Sequence, residues 1–143
     1  MGLSTSLFSS NASQKLPARE KVVFLLGPGN FDLEIVGTAG FQAALETICG
    51  ARLPEGVQRF ETAGLIVEDK NPRDKNAVRV EIRRQPVGYL SREAASLYRQ
   101  QLEARGTPNA VGQCQAVIRG GWESSDGRKG PYEVWLDIPV SYQ

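Results

Sequence analysis

The chain has 143 residues, near the modal size of one domain, and its 41% apolar and 23% charged residues are ordinary for a globular protein. Seventeen Lys and Arg against 16 Asp and Glu leave a formal charge of +1, which excludes a polyanion binder held by bulk charge but not a local basic face. With no histidine and only Cys49 and Cys114, His-dependent triads are excluded and a zinc site lacks ligands, so no metal and no cofactor are expected. Two cysteines make no disulfide framework, which points to a reducing, cytoplasmic setting. The longest apolar run, Val22–Leu26, falls far short of the roughly 20 residues that cross a bilayer, so no membrane partner is expected.

Residues 1–20 are rich in Ser, Asn and Lys without a sustained period and read as a mobile tail, leaving 21–143 as a single domain. Lys21–Leu26 reads as a short strand or an apolar arm, and Gly27-Pro28-Gly29-Asn30 breaks the chain without the features of a nucleotide loop. Alternation over Phe31–Thr38 predicts a half-buried strand. Phe41, Ala44, Leu45 and Ile48 then draw an apolar stripe on a short helix ending at Gly50. Phe60–Val67 reads as a second strand, followed by a turn-rich charged loop over 69–76. Ala77–Arg83 alternates again, and Pro86–Leu90 pairs back across Arg84-Gln85. Ser91 caps a helix from Arg92 to Arg105, stopped by Gly106 and Pro108. Gln113–Arg119 and Tyr132–Val140 are the last strands, the latter with Glu133, Trp135 and Asp137 on its polar face. The expected fold is α+β: a small, mostly antiparallel OB-like β-barrel or half-barrel of about six strands with two α-helices.

Few residues offer chemistry. Asp69 and Asp74 share a loop, where a carboxylate pair can do acid–base work or hold a hard metal, and where Asp also simply makes turns. Cys49 and Cys114 read as packed thiols. Charge is more informative. From Lys70 to Arg105 nine basic residues meet four acidic ones, so this segment carries +5 and the rest of the chain −4. Such a segment suits an anion site, or only a solvated face. Trp135 and Trp122 are placed to stack a nucleobase or to lie under a neighbouring loop.

Two blocks resemble the HIRAN domain, a module found at the N-terminus of helicase-like transcription factor relatives and in standalone bacterial and phage forms. They are Asn71-Pro72-Arg73-Asp74-Lys75-Asn76-Ala77-Val78 and Val87-Gly88-Tyr89-Leu90-Ser91-Arg92-Glu93, preceded by Val36-Gly37-Thr38 before the first helix. Order and spacing agree from about Phe31 to Val140. The resemblance implies an OB-like barrel that grips the 3′ end of single-stranded DNA. Asn71 and Asp74 would lie at the terminal nucleotide, with the aspartate near the 3′ hydroxyl, and Tyr89 and Arg92 along the same pocket and backbone path. Arg73 enters by position, although an aromatic is usual there. The helicase-linked members carry an arginine and aromatics where this chain has Ala39 and Gly40. That departure implies end recognition that is either weakened or supplied elsewhere, for instance by Phe41 or Trp122.

These readings converge on a noncatalytic module, not an enzyme, that recognises a 3′-OH end of single-stranded DNA in repair or replication. Its DNA-binding residues would be Asn71, Arg73, Asp74, Tyr89, Arg92, Phe41 and Trp122, and its protein partner a helicase or nuclease. The alternatives are a protein-interaction module using an exposed Trp122–Trp135 patch and a metal-dependent nuclease using Asp69 and Asp74.

Overall fold

Alternating apolar residues curl one sheet around a single core. The computed structural model describes residues 21–139, so the tail read over 1–20 and the Val140 end of the last strand lie outside the described residues. In chain order the elements are β1 (Val22–Phe24), β2 (Leu33–Glu34), a 3-10 turn (Thr38–Phe41), α1 (Gln42–Cys49), β3 (Val57–Val67), β4 (Val78–Ile82), β5 (Gln85–Tyr89), α2 (Arg92–Ala104), β6 (Val111–Gly120) and β7 (Tyr132–Asp137). The sheet runs β2-β7-β6-β3-β4-β5, with every neighbouring pair antiparallel. β1 joins alongside β6 in parallel, so Lys21–Leu26 supplies a seventh strand to the sheet.

The period of two sends Leu65, Val80, Ile82, Ile118, Val134 and Leu136 into one core, where none is exposed. Helical spacing does the rest: Leu45 and Ile48 of α1 and Ala94, Ala95, Tyr98 and Leu102 of α2 face that core. Ser91 caps α2 as expected, its hydroxyl accepting from the Ala94 N–H at 3.1 Å.

The two ends of the sheet meet at a seam. The Ile35 N–H donates to the Val134 carbonyl on one side, while on the other Val36 and Tyr89 exchange both backbone hydrogen bonds, at 2.8 and 2.9 Å. The segment after β2 therefore bonds to β7 and β5 at once. A bulge helps β5 reach it: Val80 faces Gly88 and Glu81 faces Pro86, leaving Val87 as the extra residue. Gly88 is needed because a Cβ there would lie 2.7 Å from the Val36 carbonyl oxygen and 2.8 Å from Ile35 Cδ1.

Three expected elements are corrected. The strand read over Phe31–Thr38 narrows to Leu33–Glu34 plus the Val36 bridge, because Phe31 (φ 49°) and Gly37 (φ 77°) turn the backbone left-handed at either end. The β4–β5 hairpin turns at Arg83-Arg84, not Arg84-Gln85. A type I′ hairpin turn, whose twist matches that of the strands, has positive φ at both central residues, and these arginines take φ of 53° and 64°. That conformation costs on the order of 1 kcal/mol per non-glycine residue, and Arg83 is held there by its ion pair with Glu61 at 2.9 Å. The last strand stops at Asp137, whose carboxylate accepts from the N–H groups of Gly29 (2.9 Å), Asn30 (3.1 Å) and Phe31 (3.4 Å). The glycine-containing loop is thus filled by the chain's own anion.

The seam yields a prediction. Gly88→Ala should push β5 away from Val36 and cost about 1–3 kcal/mol, read as a lower urea midpoint with little change in slope. An unchanged midpoint would show that the seam does not bear on stability.

Candidate functional site

The loop between β3 and β4 is ordered by its own side chains. Asn71 Oδ1 accepts from the N–H groups of Arg73 (2.9 Å) and Asp74 (3.1 Å), and Asp74 Oδ1 accepts from the Asn76 N–H at 2.9 Å. These are the Asx turns that Asn and Asp favour. From α2, Arg99 donates to the carbonyls of Asn76 (2.9 Å) and Ala77 (3.2 Å) and to Asp69 Oδ1 (2.7 Å). The loop is therefore pinned to the helix near both of its ends.

Between this loop, the seam and the start of α2 lies a pocket of about 420 Å³, at the lower end of the size range of small-ligand sites. Asn71, Pro72, Arg73 and Asp74 form one wall, Val36 and Tyr89 the other, and Arg92 stands at the helix start. Five of the seven residues singled out in the sequence thus share one concavity. Phe41 sits behind it, its ring centroid 6.4 Å from that of Tyr89 at a tilt of 48°. Trp122 does not join them. It follows β6 where Gly120 pairs with Val57, at the far end of β3 from this loop, and is not among the residues that line the pocket.

Charges around the pocket are divided. Arg92 has 83% of its side chain exposed, and its Nε lies 4.0 Å from Asp74 Oδ2. Arg73, Lys70 and Lys75 are exposed on the same loop. Among the described residues Asp74 Oδ2 takes no hydrogen bond, which leaves it an acceptor beside a cation.

Behind the walls stands a residue that sequence reasoning missed. Glu68 Oε1 accepts from Asn71 Nδ2 at 2.9 Å and from the Tyr89 hydroxyl at 3.1 Å, and its Oε2 takes a charged hydrogen bond from Arg79. Arg79 in turn donates to Glu81 at 2.8 Å. Burial pushes the Glu68 carboxyl up, but the hydrogen bonds from Asn71, Arg79 and Tyr89 outweigh it and hold it below the usual range. Burial and the Glu68 charge push the Tyr89 phenol up. The available signal was charge: in the β3–β4 register Ile66 faces Arg79, so Glu68 is the diagonal neighbour of Arg79 on the outer face. The network also engages the Tyr89 hydroxyl. Its hydrogen is committed to Glu68, so it has none to donate to a phosphate, and the ring face is what remains.

The other candidates are accounted for separately. Trp135 lies under the Arg119 guanidinium, 5.5 Å from the ring centroid, and donates to Glu133. Trp122 packs against Gly130, so the two indoles make separate contacts. Asp69 pairs with Arg99 and Asp74 with Arg92, and among the described residues no three His, Cys, Asp or Glu side chains gather into a metal-holding group. Burial pushes the Cys49 thiol up, and burial with the Asp137 charge pushes Cys114 up to about 12. No helix among the described residues is long and apolar enough to cross a membrane.

No protein-family model matches the chain, and no curated protein matches it. Among solved structures it is similar to the crystal structure of the HIRAN domain of human HLTF. The two share 17% identity over 78% of this chain and 80% of that one, with a TM-score of 0.36.

The carboxylate network makes stability depend on pH. Glu61, clamped by Arg59 and Arg83 with 11% of its side chain exposed, is also held below the usual range, its hydrogen bonds outweighing the upward push of burial. Both groups bind their last proton more weakly folded than unfolded. Their contribution should be complete above the ordinary glutamate pKa of about 4.3 and fade as pH falls through the lower folded values. Urea melts at pH 7 and pH 3 should show that loss, and Glu68→Gln should shrink the difference. An equal difference in wild type and variant would contradict the assignment.

Proposed function

We propose that this chain is a noncatalytic DNA-binding module that takes the 3′-hydroxyl end of single-stranded DNA into the pocket between Asn71–Asp74, Tyr89 and Arg92. One observation carries the reading: residues from a loop, a strand and a helix start, brought together only by folding, offer one acceptor, two guanidinium groups and a ring face in one concavity. The two sequence blocks that resemble the HIRAN domain supply those same residues.

Each group has a role that its chemistry allows. Asp74 Oδ2 accepts a hydrogen bond from a terminal hydroxyl and repels a terminal phosphate. Arg92 and Arg73 meet backbone phosphates at the mouth, and the Arg92 and Glu93 N–H groups in the first turn of α2 add weaker anion contacts. The Tyr89 ring, backed by Phe41, stacks on a base. Asn71 shapes the loop, since its Oδ1 and Nδ2 already have partners within the chain. Such a module would bring a helicase or nuclease to a strand end, or mark damaged or stalled DNA.

Fluorescence anisotropy with short oligonucleotides ending in a 3′ hydroxyl, a 3′ phosphate or a blunt duplex tests this. The hydroxyl end should bind tightest, and Asp74→Asn should narrow its advantage over the phosphate end. Replacing Arg73 and Arg92 by Ala should weaken all binding and flatten the salt dependence by about 0.7 for each phosphate no longer neutralised. Absence of binding at low salt, or equal binding to all three ends that vanishes as salt rises, would overturn the reading. Retained binding to a protein partner after both arginines are replaced would instead favour an interaction module.

A further inference from the structure

We infer that Glu68 is the positioning residue that sets the width of the pocket, a role that rests on reading the pocket as the site of a strand end. The two walls come from different parts of the fold, the loop after β3 and the end of β5, and one oxygen joins them. Glu68 Oε1 accepts from Asn71 Nδ2 at 2.9 Å and from the Tyr89 hydroxyl at 3.1 Å. The Asn71 side chain also receives the N–H groups of Arg73 and Asp74, so the bond at Nδ2 reaches the segment that carries the acceptor and one guanidinium. At the other wall the Tyr89 ring is held at two points, its backbone paired with Val36 and its hydroxyl on Glu68.

Glu68 does this without lining the pocket. It opens instead onto a shallower groove of about 610 Å³ on the far side of Asn71 and Pro72, with Asp69, Lys70 and Tyr89. Its second oxygen is held by Arg79, and Arg79 by Glu81, so the carboxylate cannot swing toward an occupant. Arg79 also compensates its charge, which leaves Asp74 as the carboxylate facing the pocket. Glu68 therefore acts through Asn71 and Tyr89. A loosened gap would let the ring and the Asp74 carboxylate engage a terminal nucleotide only one at a time.

The test is a double-mutant cycle on Glu68→Gln and Tyr89→Phe, read by affinity for an oligonucleotide ending in a 3′ hydroxyl. Glu68→Gln should weaken binding about tenfold, because it takes the charge from all three of the carboxylate's hydrogen bonds, and Tyr89→Phe about threefold, because it removes one of them. The double variant should be no weaker than Glu68→Gln alone, since both cut the same link. The salt slope should stay at the wild-type value, since Arg73 and Arg92 are untouched. Wild-type affinity in Glu68→Gln, or a double variant as weak as the product of the singles, would overturn the proposal. NMR gives a reading that does not need DNA. Glu68→Gln should lower the Tyr89 ring titration and speed amide exchange at Arg73 and Asp74. If wild type binds no oligonucleotide, the strand-end reading fails on its own. Unchanged exchange and titration in Glu68→Gln would then refute the positioning role separately.

Discussion

The pair of backbone hydrogen bonds between Val36 and Tyr89 joins the two ends of the sheet, and the candidate site follows from that closure. Each of these residues supplies both a donor and an acceptor to the seam, so neither backbone can shift without leaving a polar group unpaired. The seam fixes the main chain of Tyr89 and leaves its side chain on the outer face, toward the β3–β4 loop and Phe41. α2 starts three residues later, which brings Arg92 and the free N–H groups of the first helical turn to the same mouth. A barrel closed elsewhere would separate the helix start from the loop. The bulge at Val87 and the bare Cα of Gly88 are the local devices that let β5 come close enough.

The basic segment divides into paired and exposed cations. Arg79, Arg83 and Arg99 are taken up by Glu68 and Glu81, by Glu61 and by Asp69, and they hold strands and loop in place. Lys70, Arg73, Lys75 and Arg92 stay exposed around the pocket. Arg84 is exposed beside another groove and Arg105 at the far end of α2, so only part of the segment's charge lies near the pocket. Exposed cations of this kind can exchange water and counterions for phosphate without first breaking a buried ion pair.

Much of the architecture was legible in the sequence because it depends on short-range periodicity. The alternation of Val78, Val80 and Ile82, the stripe Ala94, Tyr98, Leu102 and the Ser91 cap each depend on residues a few positions apart, and each reads correctly. Features set by distant partners did not read. Asp137 fills the N–H groups of Gly29–Phe31 from the other end of the chain, so the sequence around either one looks like an ordinary loop or strand. The Arg83-Arg84 turn contradicts local preference and is imposed by the hairpin register. The pocket falls between these cases. Its residues lie in two compact blocks, so five of them can be named, whereas Trp122 enters from outside those blocks as a stand-in for missing aromatics and sits at the far end of β3. Glu68 escaped notice because its role depends on which residues the fold sets around it.

The most direct measurement is amide and side-chain chemical-shift mapping by NMR as a short single strand with a free 3′ hydroxyl is titrated in. Shifts confined to Val36, Asn71–Asp74, Tyr89, Leu90 and Arg92, saturating with the strand end, are the predicted result. Shifts centred on Trp122 or on the Phe60 face of the sheet, with the pocket residues silent, would contradict the account.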